Sequence, residues 1–140
     1  MAANNTLVLP TIVPNTLNIR NFVSTKFTFD TFLTWRKGFA QLLRTHNMIG
    51  IVNGTVKCPA ATHSQYSIWR ECNELIQSWI IATLSPSILE TFLNYESDSA
   101  ITSWNTLKQL FLQHVASTKM LLRSKFQNFK KSNFNMNDYL

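Results

Sequence analysis

The stretch TFLTWRKGFAQLLRTH, residues 31–46, shows what kind of chain this is. Phe32, Trp35, Phe39, Leu42, Leu43 and His46 recur mostly at steps of three and four, which places them on one face of an α-helix. A strand would alternate with period two, and no long alternating run occurs in the chain. Asp30 or Thr31 is placed to cap the helix start. The segment that follows, NMIGIVNGTVKCP, breaks the pattern. Gly50 and Gly54 permit backbone angles closed to other residues, and Pro59 cannot continue regular hydrogen bonding. Asn53-Gly54, set between Ile51-Val52 and Val56, predicts a small hairpin.

Helical spacing then returns. Tyr66, Trp69, Ile76, Trp79, Ile80 and Leu84 predict a second helix over about 63–83. Ser85-Pro86 reads as an N-cap followed by proline at the first helical position, opening a short helix with Ile88, Leu89 and Phe92. Ser97, Asp98 and Ser99 are cap-type residues before a fourth helix with Ile101, Trp104, Leu107, Leu110, Phe111 and Val115. ASTK, residues 116–119, is expected to interrupt it. Leu121, Leu122, Phe126 and Phe129 then carry a fifth helix to about Lys130, where Ser132-Asn133 turns the chain. Residues 1–20 contain Pro10 and Pro14 and no charge before Arg20, so they read as a flexible leader. The expected fold is all-α, a small helical bundle of about five helices behind a loose N-terminal leader.

Composition agrees with a single globular domain. The chain has 140 residues, is 45% hydrophobic, and offers ten Phe and four Trp as core anchors. Only 14% of its residues are charged, against the usual ~25%. Thirteen Lys and Arg outweigh seven Asp and Glu, giving a net charge of +6 that draws polyanions weakly. Two cysteines are too few for a disulfide framework. There is no basic segment leading an apolar run at the start, and no apolar run approaching the ~20 residues of a spanning helix. These features lead to the expectation of a cytoplasmic protein with no membrane partner.

The residues that carry chemistry are sparse. No glycine-rich phosphate loop or serine nucleophile elbow is present. Glu71 and Glu74 share a helix face, which reads as a solvated surface before an acid–base pair. His46, Cys58, His63 and Cys72 are all possible ligands, yet none forms a closely spaced pair, so no metal site is expected. Nothing marks either thiol as activated. We therefore expect no enzyme, no cofactor and no small-molecule substrate. The four tryptophans could stack on bases, but Trp35, Trp69, Trp79 and Trp104 each fall in phase with an apolar stripe, which reads as core. The C-terminal stretch carries Lys119, Arg123, Lys125, Lys130 and Lys131 before its one acid, Asp138. Lys119, Arg123 and Lys130 lie near one helix face, with Phe126 and Phe129 towards another. The plain reading is the solvated face of a core helix; the other is weak, salt-sensitive contact with RNA.

The order of the anchors adds a resemblance. KFTFDTFLTWRKGFAQLLRTHNMIGIVNGT resembles the opening of copia-type LTR-retrotransposon Gag polyproteins of plants, with a tryptophan-led helix ending at a Gly-x-Val-Asn-Gly-Thr turn. YSIWRECNELIQSWIIATLSPSIL, SAITSWNTLKQLF and LRSKFQNFKKSNFNMNDYL are similar to three later blocks of that family, in the same order. Thr31-Phe32 stands where Asn-Tyr is usual, and Asn73 where an acid is common. The resemblance implies a core built on Trp35, Trp69, Trp79, Trp104, Leu107, Phe111, Leu122 and Phe126. It also implies that residues 21–140 form a Gag capsid-like domain truncated at its C-terminal end, since family members continue into further capsid helices and often a zinc knuckle. Function follows as an expectation: a structural protein that self-associates into virus-like particles packaging RNA. A truncated or co-opted Gag remnant, binding RNA or protein without assembling, is the alternative. Met48, Ile49, Ile51 and Phe134 are candidate interface residues, as apolar side chains outside the core stripes.

Overall fold

The computed structural model describes residues 7–137, with side chains to residue 132. Among them are five α-helices: α1 Phe32–Thr45, α2 Ile49–Asn53, α3 Tyr66–Ala82, α4 Pro86–Phe92 and α5 Ala100–Asn137. A 3-10 turn, Ile19–Asn21, precedes them. The one β-type pairing among the described residues is an isolated parallel bridge between Phe27 and Leu84. The fold is all-α. The chain divides into two compact units that meet in sequence between Leu107 and Lys108.

The core of the first unit grows from the face of α1 that the periodicity predicts. Trp35 packs its ring against Phe27, Phe39 and Trp104, with centroid separations of 4.9, 5.0 and 5.5 Å. Phe32 adds an edge contact to Phe27 at 5.2 Å. A buried indole needs a partner for its N–H, and Trp35 Nε1 donates to Thr83 Oγ1 at 3.0 Å. Thr83 in turn donates to Trp79 O at 2.8 Å, so a buried hydroxyl is satisfied on both sides. The backbone of Phe27 completes this corner: its N–H donates to Thr83 O at 2.7 Å, and its carbonyl accepts from Ser85 N at 3.0 Å. The extended segment before α1 is thereby tied to the link between α3 and α4.

Among its described residues the leader has no regular element before Ile19, as its prolines predict, but these residues are anchored. Leu9 and Ile19 are buried. Gln65 clasps the backbone of Leu7, accepting from its N–H at 2.8 Å and donating to its carbonyl at 3.2 Å. Gln65 holds the N-cap position of α3, which begins three residues later than His63. Thr31 stands at the N-cap of α1 without capping it; its hydroxyl turns back to donate to Lys26 O at 2.7 Å.

Three expectations are corrected. The predicted hairpin around Asn53-Gly54 is a helix: α2 ends at Asn53, and Gly54 closes it in the left-handed conformation at φ 86°. Asn-Gly supplies the same positive φ to a helix C-cap as to a hairpin, and the buried Met48, Ile51 and Val52 suit helical spacing. Gly50 lets this helix close tightly, because a Cβ there would meet Val56 Cγ2 at 2.5 Å. ASTK does not break the chain, and neither does Ser132-Asn133. The fourth and fifth predicted helices are one, α5, since no proline or glycine interrupts its hydrogen-bond ladder and exposed Ser and Thr side chains are tolerated in it. The start of α5 is capped twice. Ser99 Oγ accepts from Thr102 N at 3.2 Å, and Asn73 Oδ1, from α3, accepts from Ala100 N at 2.9 Å. Asn73 is thus a buried amide that caps a helix distant in sequence.

Candidate functional site

The tail that drew interest by its charge is the distal part of α5. At about 100° per residue, Val115, Leu122, Phe126 and Phe129 share one stripe roughly 60° wide. None of them is covered: Leu122, Phe126 and Phe129 are 60%, 59% and 63% exposed. Leu122 and Phe126, expected in the core, are therefore exposed among the described residues. Their periodicity identifies a face that could be covered. Lys119, Arg123, Lys125 and Lys130 are exposed beside this stripe, and Lys131 is exposed on the opposite side of the helix. Lys130 Nζ sits 5.3 Å from the centre of the Phe126 ring, a cation–π contact that draws charge onto the apolar face. None of these five cations makes an ion pair among the described residues.

The other signature residues lie elsewhere. Trp35, Trp79, Trp104 and Leu107 are buried. Trp69 is half-buried, with its indole N–H directed at Val56 O, 3.4 Å away. Phe111 is half-buried. The candidate interface residues fare differently from expectation. Met48 and Ile51 are fully enclosed and Ile49 is half-buried, because α2 packs its apolar residues inward. The two enclosed side chains cannot meet a partner without unfolding. The side chain of Phe134 lies outside the described residues.

No group of three or more His, Cys, Asp or Glu among the described residues is placed to hold a metal ion. His46 Nδ1 is bonded to Leu42 O at 3.1 Å, and His63 Nδ1 accepts from Gln65 N at 3.0 Å. Cys58 is exposed, whereas Cys72 is buried. Burial pushes the Cys72 thiol up to about 11, with the neighbouring Glu71 carboxylate adding to the effect. Such a thiol stays protonated near neutral pH and is a poor nucleophile. No helix among the described residues is long and apolar enough to cross a membrane.

A second basic surface is less visible in the sequence. Between Asp30 and Glu71 there is no acid, while Arg36, Lys37 and Arg44 all lie on α1. They line one concavity with Asn53 and Trp104. An acid-free run with cations at the second and fourth turns of α1 is the signal that points to it, but the concavity is completed by α2 and by Trp104, which is distant in sequence.

Two curated proteins of Arabidopsis thaliana are similar to the chain. A retrovirus-related Pol polyprotein from transposon RE1 is 22% identical over 133 residues, covering 89% of this chain and 9% of that protein. A retrovirus-related Pol polyprotein from transposon RE2 is 25% identical over 122 residues, covering 78% of this chain and 8% of that protein. The chain thus spans less than a tenth of the length of these relatives. No family model matches the chain, and no solved structure matches it. The two similarities support a retrotransposon origin.

Proposed function

We propose that the chain is a structural, capsid-type segment of a copia-type retrotransposon Gag protein. In this reading it self-associates in the cytoplasm into virus-like particles that package RNA, and it has no catalytic role. The observation that carries the proposal is the open apolar stripe on α5. Exposed Phe, Leu and Val at helical spacing are stabilised by burial, at roughly 25 cal/mol per Å² of apolar surface removed from water. A second copy offers the same stripe, so helix–helix contacts between copies would bury both. Single contacts of this size are weak, which suits a shell built from many repeats. The cations beside the stripe would lie at the margin of such contacts and could hold phosphates without reading sequence. The transposon polyproteins supply support of a different kind, through descent.

Size-exclusion chromatography with light scattering, at low and moderate salt and with absorbance at 260 and 280 nm, tests this. Self-association that persists at moderate salt, where apolar burial is retained, is the expected result. A monomer at every soluble concentration would remove the assembly reading and favour a non-assembling remnant. Nucleic acid that co-elutes at low salt and leaves at moderate salt is expected for the phosphate contacts.

A further inference from the structure

We propose that the groove formed by α1, α2 and Trp104 is a nucleotide-binding site, holding phosphate on its cations and a base against its apolar wall. It lies wholly in the first unit and does not depend on self-association. The cavity is about 430 Å³, within the range of roughly 300–1,000 Å³ usual for small-molecule sites.

Its polar side chains offer donors. Arg36, Lys37 and Arg44 are cations, and no carboxylate lines the groove. None of the three makes an ion pair among the described residues, so their charge is not neutralised locally. The fourth polar side chain, Asn53, is also turned towards donation. Its carbonyl oxygen is already engaged, accepting from Thr55 N at 3.0 Å and from Thr55 Oγ1 at 2.8 Å. The amide N–H groups remain to be offered. A lining of donor side chains calls for a ligand rich in acceptors and negative charge, which describes a phosphate ester more closely than a neutral metabolite.

One donor is preorganised. The Arg36 guanidinium stands 6.0 Å from the centre of the Trp104 ring, and Trp104 is itself fixed by Trp35 and Phe39 at 5.5 Å each. Held in this way, a planar guanidinium loses less freedom when it meets a phosphate, and its fork matches two phosphate oxygens. Leu33, at the mouth of the groove, is 69% exposed. An open leucine beside three cations gives a flat, apolar ledge for a base, where inorganic phosphate would leave it unused. An acidic peptide would satisfy the cations too, but a single carboxylate brings one charge to a groove holding three.

The test uses the full chain and isothermal titration with adenosine triphosphate, pyrophosphate, adenosine, a short single-stranded RNA and a polyglutamate peptide. Adenosine triphosphate is expected to bind with a salt-dependent affinity and more tightly than pyrophosphate or adenosine. Reversing the exposed pair as Lys37→Glu with Arg44→Glu should weaken it at least about tenfold. Lys130→Glu with Lys131→Glu, which leaves the groove intact, should not change it. Thermal melts of both variants check that the fold survives, and Arg44→Gln provides a milder second variant. Tighter binding of RNA than of adenosine triphosphate, lost in the groove variant, would support the site and identify a strand as the source of the nucleotide. Pyrophosphate equal to adenosine triphosphate, preference for polyglutamate, or binding insensitive to both groove variants would each overturn the proposal.

Discussion

Helix α5 carries one kind of apolar repeat along its whole length, but its two stretches meet opposite surroundings. Ala100, Trp104, Leu107 and Leu110 are buried, whereas Leu122, Phe126 and Phe129 stand open to solvent. The helix-forming signal is the same in both. What differs is cover. The proximal stretch has the Asn73 cap and the aromatic cluster of Trp35 and Phe39 against it; the distal stretch is exposed, with cations along it. Apolar spacing tells which face a helix would bury, and says nothing of whether the burying surface belongs to the same chain.

The buried side is where a single substitution should do most damage. Trp35→Ala removes the ring at the centre of the cluster and the donor to Thr83, and should lower stability by ~3–5 kcal/mol, enough to threaten folding. Urea unfolding followed by far-UV circular dichroism measures this. A loss under ~1 kcal/mol would show that the cluster does not anchor the bundle. Asn73→Ala should have the next largest effect, about 1–3 kcal/mol, because it leaves the Ala100 N–H without its acceptor in a buried place. Hydrogen exchange gives the finer readout: Ala100 and its neighbours should lose protection while residues beyond Leu122 hardly change.

Much of this architecture was legible in the sequence. The stripe of Phe32, Trp35, Phe39 and Leu43 predicts both α1 and its buried face, and Ser85-Pro86 sets the start of α4, because both signals are local. Two other signals misled for a physical reason. Asn53-Gly54 satisfies a hairpin and a helix C-cap equally well, since both need positive φ, and only the burial of Ile51 and Val52 separates them. Ala116–Lys119 looks like a pause because Ser and Thr are poor helix formers, but the penalty per residue is well under ~1 kcal/mol and a long ladder absorbs it. The candidate sites were less legible. The cations of the tail could be named from sequence, while the groove at Arg36, Lys37 and Arg44 depends on α2 and Trp104 being brought against α1.

Acidity offers a smaller probe of the buried side. The Cys72 thiol rises from 9.0 to about 11, first through burial and then through Glu71. The folded state therefore holds this proton more tightly than the unfolded state. Its contribution is fully present below about pH 9 and is lost as pH rises through about 11. Urea midpoints of the parent and of Cys72→Ala should run parallel below pH 9 and converge above it, because only the parent loses this contribution. Parallel curves through pH 11 would show that the thiol is not desolvated.

The smallest stability effect is expected on the open side, and it separates the two stretches most cleanly. Phe126→Ser with Phe129→Ser removes two aromatic rings from a surface already in water, so the change in unfolding free energy should stay within about 0.5 kcal/mol. The same pair of changes made in the buried cluster would unfold the protein. If these rings instead pack between copies, their loss must appear in mass, as a shift from associated species to monomer in light scattering at moderate salt. Unchanged stability with lost association would assign the stripe to contacts between chains. A large drop in the stability of a protein already monomeric would mean that the stripe is buried within a single chain in solution, and the distinction between the two stretches of α5 would fall.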